Sequence, residues 1–254
     1  MRGLLPYSYH EAVTGRQGSQ AIQVKGLQKS YGDWPVLWDL DLTMGWGEFL
    51  VIFGANGVGK TTLLRTLSTQ ARPDYGEVWI GGVDRARDPN AVRRMVGVVG
   101  HKAFLYEEMT CQENLQFYGR MFRLKEMKGR VDQVLRLVGL EGRRHHRVRT
   151  LSNGIQKRLS IARAILHKPS ILLLDEPEGG LDQEGMGMLG RLLEGWRAEG
   201  GTVVMTTHNL EQGLAWGDRA AILSGGKIAF EESRHSLDVA SFRSTYLQYL
   251  EAAS

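Results

Sequence analysis

Nine consecutive residues, Gly54, Ala55, Asn56, Gly57, Val58, Gly59, Lys60, Thr61 and Thr62, join an apolar stretch over residues 49–53 to a segment of helical character that begins near Thr61. The glycines allow the backbone to curl until successive N–H groups converge on one anion. The helix that follows adds its unpaired first amides and the positive end of its dipole. In that setting Lys60 reaches the outer phosphates of a nucleoside triphosphate and the Thr61 hydroxyl serves Mg2+. Phosphate binding is the chemistry these residues specify.

Mg2+ between two phosphates needs another oxygen ligand, and hydrolysis needs a carboxylate to position water. Residues 171–174 are Ile-Leu-Leu-Leu, followed by Asp175 and Glu176. Four apolar residues read as a buried strand, and Asp175 at its carboxyl end falls beside the phosphate loop, in the crevice where open α/β sheets bind ligands. Glu176 points elsewhere and is placed to act on attacking water. A second anion site is expected at Leu151, Ser152, Asn153 and Gly154, just ahead of a helix that contains Leu159, Ala162, Ile165 and Leu166. Ser152 would cap that helix, Gly154 would allow close approach, and the first amides would stay free. Two such sites on one chain imply that two chains share each nucleotide.

The elements that must hold these residues follow from periodicity. Residues 22–24 and 37–42 alternate as half-buried antiparallel strands do, and they lead into the apolar strand before the loop. Residues 72–76 read as a turn, 77–80 as a strand, and 95–99 as a buried strand. From about Thr110 to Leu140 the period becomes helical, with one stripe of Leu115, Tyr118, Met121 and Phe122 and another of Val131, Val134, Leu135 and Val138. Strands at 171–174, 202–205 and 220–223 then alternate with helices near 186–199 and 210–215. The expected fold class is α/β: a phosphate-loop core with a mostly parallel sheet, an antiparallel β-subdomain and a helical subdomain over about residues 103–160. Residues 1–20 are expected to be a flexible extension, 21–234 the nucleotide domain and 235–254 a helical tail.

Composition narrows the function classes. A chain of 254 residues that is 42% hydrophobic buries a substantial core. No apolar run approaches the roughly 20 residues of a bilayer span, so any membrane role runs through a partner. A lone cysteine, Cys111, excludes an internal disulfide or a multi-cysteine metal site and reads as a packing residue. A formal charge of +4 fits nucleic acid, anionic lipid or nucleotide alike.

The loop at Gly54, the segment from Leu151 to Gly154, the Asp175-Glu176 pair, Gly180-Leu181-Asp182, and His208 after an apolar strand together resemble the ATP-binding subunit of ABC transporters over about residues 21–230. That resemblance implies ATP and Mg2+ as ligands, a homodimer, an integral membrane permease as partner, and a peripheral place at the cytoplasmic face of the inner membrane. It also implies that Tyr31 stacks on adenine, that Asp182 signals between subunits, and that His208 contacts the γ-phosphate. Read without it, Tyr31 is a packing aromatic and His208 a surface or capping histidine. Three positions depart from the family pattern. His101 stands where a metal-contacting glutamine is usual, Ile155 replaces a glutamine, and Glu178 replaces a small hydroxyl residue. A histidine at position 101 gains charge near neutral pH, so signalling there could follow pH.

Residues 100–110 with 113–118, and the signature helix through Ala164, also resemble the ATPase of the bacterial haem exporter of cytochrome c maturation. Exporter subunits for drugs, lipids or polysaccharides share much of that pattern. His145 and His146 lie in the basic run from Arg143 to Arg149, which repels a cationic metal, so direct haem binding is not expected. ABC-type ATPases acting on nucleic acid or ribosomes form a rival class, but one cassette, no sustained heptads and one cysteine argue against it. A small-molecule kinase leaves the second anion site without a purpose.

Overall fold

The computed structural model describes residues 20–233, 236 and 238–252. The extension expected at residues 1–20 lies outside the described residues except for Gln20. Two sheets organise the chain. The first is antiparallel, formed by β1 (Gln20–Tyr31), β2 (Trp34–Gly45), β4 (Tyr75–Ile80) and β5 (Val83–Asp84) in the order β2-β1-β4-β5. The second contains β3 (Phe49–Phe53), β6 (Val96–Val99), β7 (Ile171–Asp175), β8 (Thr202–Thr206), β9 (Arg219–Ser224) and β10 (Lys227–Ser233), in the order β10-β9-β3-β8-β7-β6. All its pairings are parallel except β9 with β10.

Every residue of β3, β7 and β8 is buried, as the continuous apolar runs of a sheet covered on both faces require. Alternate side chains feed two cores. Leu50, Ile52, Leu173 and Val204 join Leu63, Leu64 and Leu67 of α1 (Lys60–Leu67) and the inner face of the antiparallel sheet. Phe49, Val51, Leu172, Leu174, Val203 and Met205 face the helices. Those include α3 (Cys111–Met121), α4 (Met127–Leu137), α5 (Asn153–Ile165), α6 (Gln183–Ala198) and α8 (Val239–Ala252). Two short helices complete the chain, α2 (Pro89–Met95) after β5 and α7 (Leu210–Trp216) after β8.

Several sequence expectations shift. Met95 ends α2 rather than opening a strand, and Tyr75 and Gly76 belong to β4 rather than to a turn. Met121 is exposed; the buried face of α3 is Cys111, Asn114, Leu115 and Gly119. Leu115 of the expected stripe is buried and Tyr118 and Phe122 are half-buried, and at Gly119 an added Cβ would lie 2.3 Å from the Met127 sulfur, so that α3 and α4 meet over a glycine. Asp175 does reach the phosphate loop, but β8 intervenes between β3 and β7.

Just past α5, the ring of His167 stacks on Phe122 with centroids 3.8 Å apart, and Nε2 lies 3.1 Å from the Val96 carbonyl. Burial pushes the His167 pKa down to about 4; the Val96 carbonyl opposes this, and Arg130 and Arg163 reinforce it. The unfolded chain takes up this proton near the ordinary value of 6.5, so stability is full above that pH and declines as pH falls toward 4. The expected loss at pH 5 is about 2 kcal/mol. Urea unfolding of the native chain and a His167→Phe variant at pH 7.5 and 5 checks this: the variant should lose less by that amount, and equal losses refute it.

Candidate nucleotide site

Residues 54–59 form a tight loop between β3 and α1, whose first turn carries Lys60, Thr61 and Thr62. Gly54, Gly57 and Gly59 have φ of 157°, 79° and 114°. At Gly59, the N-cap of α1, an added Cβ would also lie 2.9 Å from Leu37 and 3.0 Å from the Val36 carbonyl, so β2 packs directly on the loop. Lys60 is buried, and its ammonium donates to the carbonyls of Gly54 at 2.7 Å and Ala55 at 3.0 Å. Burial lowers the Lys60 pKa, with Glu176 and Asp175 opposing the shift. Asn56, Gly57, Lys60, Thr61, His101 and Glu176 line an open cleft of about 410 Å³. Behind the loop, Phe53 meets Phe242 and Tyr246 of α8 edge to face.

Opposite the loop, the buried Asp175 carboxylate accepts hydrogen bonds from the Thr61 hydroxyl at 2.8 Å and the Thr206 hydroxyl at 2.7 Å. His101 Nε2 stands 3.5 Å from the same carboxylate. Glu176 turns away from Asp175 with φ of 45°, and its carboxylate lies 3.6 Å from Nδ1 of the exposed His208. Lys60, Thr61, His101 and Glu176 therefore share one cleft, with Asp175 bonded to Thr61 and His208 beside Glu176. Thr206 escaped the sequence reading; its only signal is the pair of hydroxyls, Thr206 and Thr207, between an apolar strand and His208. Glu178, at the family's small hydroxyl position, accepts a hydrogen bond from the Thr207 hydroxyl.

The remaining candidates lie elsewhere. Ser152 and Asn153 are exposed at the start of α5. Ser152 occupies the N-cap position, but contrary to expectation its side chain caps nothing, unlike Thr110, Asp182 and Asn209 on their helices. The first amides of α5 therefore receive no hydrogen bond from their cap residue's side chain. Gly154 is needed for contact: an added Cβ would lie 2.7 Å from the Gly180 carbonyl. Asp182 caps α6 and pairs with Arg158 at 2.6 Å, which holds its carboxyl below the usual range. Tyr31 is exposed at the β1–β2 turn with the Lys29 ammonium 5.4 Å above its ring. His145 and His146 are exposed among arginines, and Cys111 is fully buried with its thiol pKa raised by burial.

Residues 37–179 match the family model described as ABC transporter. The chain belongs to the ABC transporter family. It is an ATP-binding subunit and an ATP hydrolase of the ABC type. It is 36% identical over 219 residues to a daunorubicin resistance ATP-binding protein of Streptomyces coeruleorubidus, covering 85% of this chain and 69% of the relative. It is 35% identical over 228 residues to the Nod factor export ATP-binding protein I of Rhizobium meliloti, covering 89% of this chain and 68% of the relative. The solved dimeric structure of a bacterial ABC transporter cassette superposes with a TM-score of 0.78 at 30% identity, covering 85% of this chain and all of that one. These names depart from the haem-export resemblance and agree with its alternative, a subunit of another exporter.

The residues beside the loop fit Mg2+. Among the described residues no three His, Cys, Asp or Glu side chains gather as a protein-only cage. A small ion that keeps its waters and binds phosphate oxygens needs few protein ligands, and one hydroxyl and one carboxylate, Thr61 and Asp175, already stand 2.8 Å apart at the cleft.

Proposed function

We propose that this ABC ATPase drives an exporter whose cargo is a drug, lipid or polysaccharide, in support of which stand relatives named for drug resistance and Nod factor export. Two copies pair head to tail, and each MgATP lies between residues 54–62 of one copy and Ser152, Asn153 and Gly154 of the other. The observation that carries this reading is the exposed N-terminus of α5, thirteen residues long, whose first amides no side chain of their own cap residue satisfies.

Within the cleft, Lys60 and the loop amides neutralise phosphate charge, and Tyr31 stacks on the adenine. Thr61 and Asp175 would hold Mg2+, with His101 beside Asp175, and the ion would supply positive charge to the phosphate oxygens. Glu176 orients the attacking water and accepts its proton, and His208, beside Glu176, steadies the γ-phosphate. Asp182 carries the signal between copies through Arg158. Among the described residues no helix is long and apolar enough to cross a membrane. A separate integral membrane permease docks on the segment from His101 to Tyr118, where Phe104 and Tyr106 are exposed, and holds the chain at the cytoplasmic face.

Replacing Ser152 by Arg tests the shared site. The variant should bind ATP as a single copy with unchanged affinity but fail to form the ATP-dependent dimer in light scattering. Its turnover should fall about a hundredfold, the scale of one lost transition-state donor. Normal turnover with normal dimerisation overturns the pairing.

A further inference from the structure

Lys157 lies one turn into α5 from the exposed Ser152 to Gly154 segment and points back into its own chain. Its ammonium donates to the Glu176 carbonyl at 3.0 Å and reaches the Gly100 carbonyl at 3.4 Å. Glu176 is held in the left-handed region, φ 45°, where residues with a Cβ seldom rest. Because Pro177 follows, the relaxed alternative for Glu176 is extended backbone, which would swing its side chain off the cleft. The strained form is held by Glu176 N–H, which donates to the Thr206 carbonyl at 3.1 Å and the Thr206 hydroxyl at 3.3 Å, and by its own carbonyl, which accepts from Gly179 N–H at 3.1 Å and from Lys157. Gly100 precedes His101, which stands beside Asp175.

Lys157 is half-buried. Burial lowers its pKa, while the carboxylates of Glu178, Asp175 and Glu176, in that order, oppose the shift. Glu178 therefore has a second use besides its bond to Thr207: one of its oxygens is buried with no hydrogen-bond partner and adds negative potential at Lys157.

We propose that Lys157 is a positioning residue, which locks the Glu176 backbone in its left-handed form and so aims the carboxylate from the helix whose N-terminus meets the partner copy's nucleotide. Contact at Ser152 in one site is thereby tied to the aim of Glu176 in the other. The inference rests on the reading of Glu176 as the group that acts on water.

The test uses the purified full chain with Lys157→Met, which keeps the stem and removes the donors, and Lys157→Gln as a second variant should the first fail to fold. Turnover should fall about a hundredfold, the effect of moving a catalytic group by about 1 Å, while the Kd for ATP stays within about twofold. Introduced into Glu176→Gln, the Lys157 change should lower the residual rate no further, since both act through one carboxylate. Wild-type turnover in Lys157→Met, full additivity with Glu176→Gln, or an ATP affinity that weakens in step with the rate overturns the positioning role. Normal phosphate release by Glu176→Gln alone overturns the assignment of Glu176 and the positioning role with it. A normal Lys157→Met beside an inactive Glu176→Gln overturns the positioning role only.

Discussion

Glu176→Gln is expected to hold ATP and barely cleave it. Glu176 lines the cleft, its side chain is one-fifth exposed, and its carboxylate lies 3.6 Å from Nδ1 of His208. Glutamine has the same shape, so the left-handed backbone and its bonds to Thr206 and Lys157 survive, and so do the Thr61–Asp175 and Lys60 contacts that meet the phosphates. What disappears is the capacity to take a proton from water. A positioned acid or base contributes about 10²–10⁴-fold, so turnover should fall by that factor while the Kd for ATP moves less than about threefold. The same variant should accumulate as an ATP-loaded dimer, since closure needs only binding and reopening needs cleavage. Single-turnover phosphate release, nucleotide titration and light scattering on one preparation separate the three quantities. Undiminished phosphate release removes Glu176 from the chemistry.

How much of this was legible in the residues divides along local and non-local lines. The phosphate loop is a local object: three glycines, a lysine and a threonine at fixed spacing make it wherever a strand precedes and a helix follows. β3 and α1 begin within a residue of where periodicity placed them. Asp175 was legible because the phosphate loop calls for a second acidic element and residues 171–174 form an apolar run of core-strand length that ends at it. Thr206 was not, because its bond to Asp175 exists only once β8 inserts between β3 and β7, a pairing between segments thirty residues apart that no short-range pattern encodes. Lys157 was hidden for a related reason. On a helical wheel it is one more cation in a basic stretch, and only the folded chain brings the carbonyls of Gly100 and Glu176, just past β6 and β7, within its reach. α2 went unread although Asp88 caps it and Pro89 opens it, since seven residues are too few for a clear period. β10 alternates half-buried with exposed positions and so offers no apolar run. Of the expected α3 stripe only Met121 is exposed, and Gly119 of the buried face went unread because a glycine at a helix crossing leaves no hydrophobic mark.

Lys60→Met should separate binding from stability in opposite directions. The ammonium is buried, and burial is the largest influence on its pKa, with Glu176 and Asp175 only partly offsetting it. Methionine fills nearly the same volume without a charge to desolvate, and the two carbonyls it abandons, Gly54 and Ala55, border a cleft that water enters. The Tm of the unliganded variant should therefore equal or exceed that of the native chain. The triphosphate loses a charge-assisted bond worth about 1.5–3 kcal/mol, a weakening of roughly 10- to 150-fold in the Kd for ATP. Turnover should fall further still, because phosphate charge shifts toward the leaving oxygens as the bond breaks and the loop amides alone then face it. Calorimetric melting with and without MgATP reads both signs in one experiment: the variant's ligand-induced rise in Tm should shrink while its baseline holds. A native-like rise would place the ammonium outside the phosphate site, and a lowered baseline would make Lys60 a structural brace of the loop instead of a ligand for the nucleotide.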